Sequence, residues 1–268
     1  MKSKSFCSPR RQRQAIKTRH GCRWAAVLLA LGAMGVPRAA RAGEVPQWMR
    51  ALVNVPLPAH DEKTDAVLLY SEDTLSVQGN GKIKRTERRV YKILRPDGRK
   101  YGKVFADFDS ETKINSIHGW CIPAQGKDYE VKDKDALETA LFGVQDGELL
   151  TDLKTRVLTI PAADPGNMIG YEIEQQVRPY VMQDVWTFQK EGTPVREAHY
   201  TLQLPAGWEY KAVWLNFSKA EPSAAGSNQW QWVVKDVEGI RPEYDMPPRE
   251  GVAGKMVVSL IPQGGSQN

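Results

Sequence analysis

Beyond its first 60 residues, the chain alternates between apolar and polar residues over short stretches that turn residues interrupt. Ile169, Tyr171 and Ile173 show this period of two. Such alternation places apolar side chains on one face of a β-strand. The dipeptide Asn80-Gly81 separates two of these stretches and predicts a hairpin, because both residues tolerate positive φ.

Regular short strands with alternating burial predict an all-β fold, an antiparallel β-sandwich of two packed sheets with one short helix. The helix is predicted from Asp135 to Phe142, where Leu137 and Leu141 are spaced i, i+4 after acidic residues. We expect a β-sandwich domain over residues 61–250. An irregular lead-in over residues 43–60 precedes it, and a final strand and flexible tail over residues 251–268 follow.

The first 42 residues have a different composition from the rest. Ten Lys/Arg and no acidic residue lie from Lys2 to Arg41, and an apolar stretch of 13 residues (24–36) is followed by a small-residue cleavage site between Ala42 and Gly43. This order is typical of a secretory signal peptide, and the apolar stretch is shorter than the about 20 residues that span a bilayer. We therefore expect a secreted or periplasmic protein without a transmembrane anchor after cleavage.

Removal of the signal changes the charge of the protein. The expected mature chain has 226 residues, with 27 basic and 32 acidic ones, so the formal net charge moves from +5 to −5. An acidic chain gives no reason to expect nucleic acid as a partner. Cys121 becomes the single cysteine, which excludes an internal disulfide.

Cysteine–histidine catalysis is the first chemistry to consider, because His118 precedes Cys121 by three residues. In an unbroken strand the two side chains point to opposite faces, so His118 could not take the thiol proton. Only a bulge, for example at Gly119, would bring them together. We expect a buried thiol and no catalytic residue.

Metal chemistry has one candidate. Asp107, Asp109 and Glu111 alternate and could present oxygens to calcium, but the Gly and the closing Glu of a calcium loop are absent. A solvated acidic strand end is the favoured interpretation. We predict no metal and no cofactor.

Aromatic residues supply the candidate ligand-binding positions. Tryptophans at even-numbered positions point to the same face of their strand. On two neighbouring strands they could form a stacking platform for sugar rings, or they could fill the space between two sheets. Core packing is favoured, since positions of the same parity include Ala212 and Val234. The candidate residues are Trp208, Trp214, Trp230 and Trp232.

Turn and strand motifs follow one another in a distinctive order. They include Asp65-Ala66-Val67-Leu68-Leu69, Ile122-Pro123-Ala124-Gln125-Gly126-Lys127, Pro165-Gly166-Asn167-Met168-Ile169-Gly170-Tyr171-Glu172 and Leu204-Pro205-Ala206-Gly207. This order, from about Asp61 to Pro248, resembles the bacterial domain of unknown function that normally precedes a transglutaminase-like (transglutaminase-core) domain in secreted and envelope proteins.

The resemblance implies an antiparallel β-sandwich without its own active site, placed before a papain-like Cys-His-Asp domain. The sequence stops at Asn268, where that catalytic domain would begin, so we expect a stand-alone accessory domain or a shortened reading frame. As an exported, non-catalytic interaction module it would bind a protein or peptide, such as a transglutaminase-like protein in trans. It would then expose an apolar patch or an open sheet edge. The alternative is a carbohydrate-binding module of the cell envelope that uses its surface tryptophans.

Overall fold

The computed structural model describes residues 44–140 and 152–264. Two four-residue α-helices, α1 (Gln47–Arg50) and α2 (Arg249–Val252), and two 3-10 helices, Pro96–Gly102 and Asp133–Asp135, accompany the strands. In chain order the strands are β1 (Ala66–Val77), β2 (Ile83–Ile93), β3 (Lys103–Phe108), β4 (Thr112–Ile122), β5 (Tyr129–Val131), β6 (Leu137–Ala140), β7 (Lys154–Thr159), β8 (Met168–Val177), β9 (Gln183–Thr187), β10 (Val195–Gln203), β11 (Glu209–Leu215), β12 (Ser223–Gly226), β13 (Gln229–Val237) and β14 (Lys255–Ile261).

These strands form one large sheet and two small ones. The large sheet has the order β12-β13-β10-β1-β2-β8-β4-β5, and the small sheets have the orders β11-β14-β9 and β3-β7-β6. The predicted all-β sandwich is confirmed. It is not antiparallel throughout, because β1 and β10 pair in parallel. A parallel pair needs a long connection, and here the connection contains most of the other strands.

The hairpin predicted at Asn80-Gly81 joins β1 to β2. Gly81 has a φ of 79°, and the Gln78 amide donates to the Lys82 carbonyl over 2.8 Å. The positive φ is accessible to glycine without strain. The turn thereby fixes the register between β2 and β1, the longest strand of the large sheet.

The main core lies on one face of the large sheet, and residues of both small sheets belong to it. In parts of the contributing strands alternate residues are buried there, as the sequence pattern predicts, for example Ala198, Tyr200 and Leu202 of β10. Its buried members include Leu68, Leu75, Ile93, Cys121, Leu158, Ile169, Trp186, Phe188, Tyr200, Trp232, Met256 and Val258.

A second, smaller core covers part of the opposite face of the large sheet. The segment predicted as an irregular lead-in supplies it, since Val45 and Met49 are buried against Val67 and Leu69. A β-bulge between Leu68 and Tyr70 breaks the alternation of β1, so that Tyr70 follows Leu69 onto the same side and packs against the second core. The lead-in is therefore an integral part of the folded domain.

The helix predicted from Asp135 to Phe142 is not formed over the described part of that segment. Asp133–Asp135 is a single 3-10 turn, and β6 follows directly with Leu137 paired to Val157 of β7. A helix of eight residues has too few internal hydrogen bonds to be stable alone. In the sheet, the backbone of this segment forms hydrogen bonds with β7 instead. Leu137 is 74% exposed, so the i, i+4 spacing of the leucines did not indicate a buried helical face.

Some predictions lie outside the described residues. The signal peptide over residues 1–42, its cleavage between Ala42 and Gly43, and the tail over residues 265–268 remain predictions from sequence. Among the helices that the structure describes, none has the length and apolar character needed to cross a membrane.

Gly170 of β8 tests the packing of α1 on the sheet. A methyl carbon at this position would lie 2.8 Å from Met49 Sδ and 3.1 Å from the Arg89 carbonyl oxygen. We expect Gly170→Ala to lower the free energy of unfolding by about 1–3 kcal/mol through overpacking, measured by urea denaturation. Gly79→Ala is the control, since no atom lies within 4 Å of its added carbon. Equal stability of the two variants would contradict close packing at this point.

Candidate functional site

The centre of the main-core face carries charges where the pattern of β2 would otherwise place apolar residues. Arg85, Glu87 and Arg89 share a face of β2 with the buried Ile83 and Ile93. Charged groups that leave water need partners of opposite charge or hydrogen bonds from the protein. These partners are Asp73 of β1, Tyr171 of β8 and Asp184 of β9. We call these three residues, together with Arg85, Glu87 and Arg89, the charged cluster.

Arg89 is the most buried cation of the cluster, with 6% of its surface exposed. Its Nη2 donates to both carboxylate oxygens of Asp73 at 2.9 Å, and its Nε lies 3.5 Å from Glu87 Oε1. Its Nη1 donates to the carbonyl oxygens of Glu72 and Arg88. Burial opposes the charged guanidinium, but the two carboxylates outweigh burial and raise its pKa.

The remaining carboxylates of the cluster are also occupied. Asp184 of β9 pairs with Arg85 and accepts a hydrogen bond of 2.9 Å from the Tyr200 hydroxyl. Glu87 accepts a 2.8 Å hydrogen bond from the Tyr171 hydroxyl. Burial alone would raise the pKa of Glu87, but Arg89 and this hydrogen bond together lower it. At Asp73 the balance is reversed, because burial outweighs Arg89 and raises the pKa of this carboxyl.

A pocket of about 200 Å³ opens onto this charged cluster, and we call it the inter-sheet pocket. Lys190 and Trp186 line it. The Lys190 ammonium donates to the Thr187 carbonyl oxygen over 2.9 Å, and no carboxylate of the described residues is within ion-pairing distance of it. Burial, together with the neighbouring charge of Arg89, lowers the pKa of Lys190 to about 8. The Trp186 Nε1 is enclosed by protein and has no hydrogen-bond acceptor among the described residues.

Among the described residues, the inter-sheet pocket thus combines carboxylates that protein donors already occupy with one lysine that has no ion-pair partner. This pocket was not predicted from the sequence, although the sequence contains one signal for it. Charged residues at positions 85, 87 and 89 have the same parity as the apolar residues at 83, 91 and 93. A charged stretch inside an otherwise apolar strand face indicates a buried polar cluster.

His118 and Cys121 do not meet. The irregularity in β4 lies between Ile114 and Ser116, upstream of both residues, and the pairing of β4 with β8 is continuous beyond it. Cys121 is buried in the main core, where its Sγ donates to the Ala162 carbonyl oxygen at 3.4 Å, while the His118 ring lies beside Trp120 of the second core. Burial, the largest cause, raises the thiol pKa to about 11. The thiol is therefore protonated and enclosed.

The acidic residues considered for calcium bind neighbouring protein groups. Asp109 Oδ1 accepts hydrogen bonds from the amides of Glu111 and Thr112, at 2.9 and 2.6 Å. Asp107 accepts one from Thr155, and Glu111 lies 3.6 Å from Arg178. Within residues 44–140 and 152–264, no three His, Cys, Asp or Glu side chains are arranged to hold a metal ion.

The four candidate tryptophans do not form an exposed platform. Trp232 is 1% exposed and packs in the main core against Tyr200, with ring centroids 5.9 Å apart, so its assignment as a ligand-binding residue is wrong. Trp208, Trp214 and Trp230 are half-buried and pack against the same core. Equal parity did place these rings on one side of their strands, but that side faces the interior.

Apolar residues lie instead on the outer face of the β11-β14-β9 sheet. Val213, Val257 and Val185 are in register across the three strands, and we call them the outer valine row. Val213 is 46% exposed and Val185 is 49% exposed. The neighbouring Leu215 is also exposed. Sequence analysis did not name these residues, although the unbroken apolar run 212–215 indicates a strand with two apolar faces.

The layered sheets define the chain as an all-β sandwich domain, and its sequence identifies the family. Residues 79–241 match the family described as a domain of unknown function with a solved structure (DUF3857). The match covers more than half of the chain, which therefore belongs to this family. No curated protein matches the chain.

A solved structure of similar fold comes from a bacterium. A "putative protease" from Parabacteroides distasonis ATCC 8503 is similar over 73% of this chain, with a TM-score of 0.63 and 14% identity. The chain spans 40% of that protein's length. Two other matches are more distant. Native leukotriene A4 hydrolase from Saccharomyces cerevisiae has a TM-score of 0.38 and 12% identity, and the match covers 81% of this chain and 33% of that one. An M1 zinc metallopeptidase from Deinococcus radiodurans has a TM-score of 0.37 and 9% identity, and the match covers 76% of this chain and 43% of that one.

Arg89→Met tests the charged cluster. The substitution leaves Asp73 and Glu87 buried without their cation, so we expect a loss of about 3–5 kcal/mol in the free energy of unfolding, measured by urea denaturation. Arg99→Met removes a solvent-exposed ion pair with Asp164 and should cost about 0–1 kcal/mol. Similar losses in both variants would argue against a buried network.

The protonated, enclosed Cys121 thiol should resist alkylation. At pH 8 in the folded protein, we expect iodoacetamide to label Cys121 at least roughly a hundredfold more slowly than in urea, followed by mass spectrometry of the Cys121 peptide. An introduced thiol at the exposed Ser223, as Ser223→Cys, should label rapidly under both conditions. Rapid labelling of native Cys121 would revive the nucleophile hypothesis.

Proposed function

We propose that this chain is an exported, non-catalytic interaction module that binds a transglutaminase-like protein in trans. The observation that carries the proposal is the outer valine row. Exposed apolar side chains aligned across three strands form a surface that another protein can cover, and burying such a row contributes to association through the hydrophobic effect.

The edge of the same sheet supports the proposal. β11 has seven residues and, among the described residues, pairs only with β14. Its other edge carries backbone donors and acceptors that a partner strand could use. An apolar face beside an open edge offers two kinds of contact on one small sheet.

The fold is also used in longer chains. This chain spans less than half of the Parabacteroides protein that it resembles, so a domain of this kind can accompany further protein segments. The motif order described above associates the domain with transglutaminase-like partners. A partner from this class is the one that the proposal specifies.

Affinity purification from the exporting cell tests the proposal, with the full chain tagged after Asn268. We expect a transglutaminase-like protein from the same genome to be recovered, and the two purified proteins to bind directly by isothermal titration calorimetry. The double variant Val185→Lys/Val213→Lys should weaken this binding about tenfold or more, because two charges would have to be desolvated at the contact.

Thr159→Lys is the control, since it adds one charge at an exposed position of the β3-β7-β6 sheet. All variants should keep the wild-type circular dichroism spectrum, because each changed side chain is at the surface. Unchanged affinity of the double variant would overturn the assignment of the outer valine row. Failure to recover a transglutaminase-like protein with the wild type would overturn the partner class.

A further inference from the structure

The outer face of the β3-β7-β6 sheet carries a second row of apolar residues. It consists of Phe105 on β3, Val157 on β7 and Leu137 on β6, which are in register across the three strands. We call it the phenylalanine row. Phe105 is 61% exposed and Leu137 is 74% exposed, so both are more exposed than any valine of the outer valine row. Apolar side chains that lie together in water are typical of a surface that another protein covers.

We propose that a second copy of this chain covers the phenylalanine row, so that the protein forms a two-fold symmetric dimer through the outer faces of its β3-β7-β6 sheets. The proposal does not depend on the proposed function, because the outer valine row lies on the other small sheet. It follows from the exposed apolar side chains and from the charges beside them.

Two charges of opposite sign flank Phe105 on the same face of β3. Lys103 precedes it by two residues and Asp107 follows it by two, and all three are exposed, whereas the two residues between them are buried. Asp107 accepts a hydrogen bond from the Thr155 hydroxyl. Neither Asp107 nor Lys103 has an ion-pair partner among the described residues.

This order makes the surface complementary to itself. A two-fold axis along the phenylalanine row lays the row of one copy on the row of the other and reverses the strand direction. Lys103 then lies opposite the partner's Asp107, and the pair occurs twice, because a two-fold contact repeats every interaction. Packed sheets keep their strands within about 30° of one another and lie about 10 Å apart, a spacing that facing lysine and aspartate side chains can bridge.

The outer valine row lacks this complementarity. The charged residues beside it are Lys211 on one side and Lys255 on the other, so both are positive. A two-fold contact of that row with itself places Lys211 opposite the partner's Leu215 and gains no ion pair. The two rows therefore suit different partners, and only the phenylalanine row suits a second copy.

The edges of the β3-β7-β6 sheet are less suited to a contact between copies. The Gln175 side chain donates to the Asp107 carbonyl oxygen over 2.9 Å and so occupies the edge of β3. At the other edge, β6 has four residues, and such a short strand offers few backbone groups for pairing. The proposal therefore specifies the face of the sheet.

The size of the row sets the expected strength of the dimer. A standard interface buries about 800 Å² of each partner, and three side chains with two flanking charges supply less. We therefore expect a dissociation constant of roughly 1–100 µM and an equilibrium between monomer and dimer.

Sedimentation equilibrium of the purified protein tests the proposal, at concentrations from roughly 1 to 300 µM. The wild type should show a reversible monomer–dimer equilibrium. Phe105→Lys should weaken dimerisation about tenfold or more, because the new charge would have to be desolvated at the contact, and Leu137→Lys should do the same. The matched control is Val185→Lys/Val213→Lys, which changes the outer valine row and should leave dimerisation unchanged.

An exchange of charges tests the predicted pairing of Lys103 with the partner's Asp107. Lys103→Asp and Asp107→Lys each place like charges opposite one another, so each variant alone should dimerise at least several-fold more weakly than the wild type. In an equal mixture, a dimer with one chain of each kind regains both ion pairs. The mixture should therefore dimerise about as strongly as the wild type.

Circular dichroism should show that every variant keeps the wild-type spectrum, since each changed side chain is at the surface. A wild type that stays monomeric over the whole concentration range would overturn the proposal. So would unchanged dimerisation of folded Phe105→Lys and Leu137→Lys variants, or a charge-exchange mixture that dimerises no better than its components. Loss of the dimer in the outer valine row variant alone would assign the contact to that row and overturn the proposal as well.

Discussion

The centre of the sandwich is organised by the need to neutralise Arg89. Its guanidinium is enclosed between sheets, so its charge has to be balanced by protein groups rather than by water. Asp73 and Glu87 meet this need from within the large sheet, and the Arg85–Asp184 pair extends the network to β9. The position of the β11-β14-β9 sheet over β1 and β2 is thus fixed by directional ion pairs as well as by apolar packing.

The two faces of that small sheet consequently have different roles. Its inner face supplies Asp184 and Trp186 to the charged cluster and the main core, while its outer face presents the outer valine row. On that outer face the valines alternate with polar residues such as Lys211 and Ser259, so the apolar surface is a single row across the sheet. The Arg85–Asp184 pair holds the inner face in place, and the outer valine row is the surface that we propose a partner covers.

Local patterns predicted the local parts of the fold. The Asn80-Gly81 hairpin and the alternating strands follow from backbone preferences and side-chain period, and both are present in the structure. The parallel pairing of β1 with β10 was not predictable, since it depends on contacts between residues far apart in the chain. Parity placed the tryptophans on one side of their strands but could not say whether that side faced solvent. The charged stretch of β2 was visible in the sequence, but the pocket was not predictable, because its other residues come from separate strands.

The parallel contact between β1 and β10 also orders the events of folding. Residues such as Ser76 and Gln203 are 127 positions apart, so this pairing closes a long loop and forms late. β2 can pair with one edge of β1 early, through the hairpin, but the other edge stays unpaired until β10 reaches it. During that interval β1, one of the most apolar strands of the chain, presents a free edge that invites pairing with other chains. The large sheet is therefore complete on this side only after a strand from a distant part of the chain has reached β1.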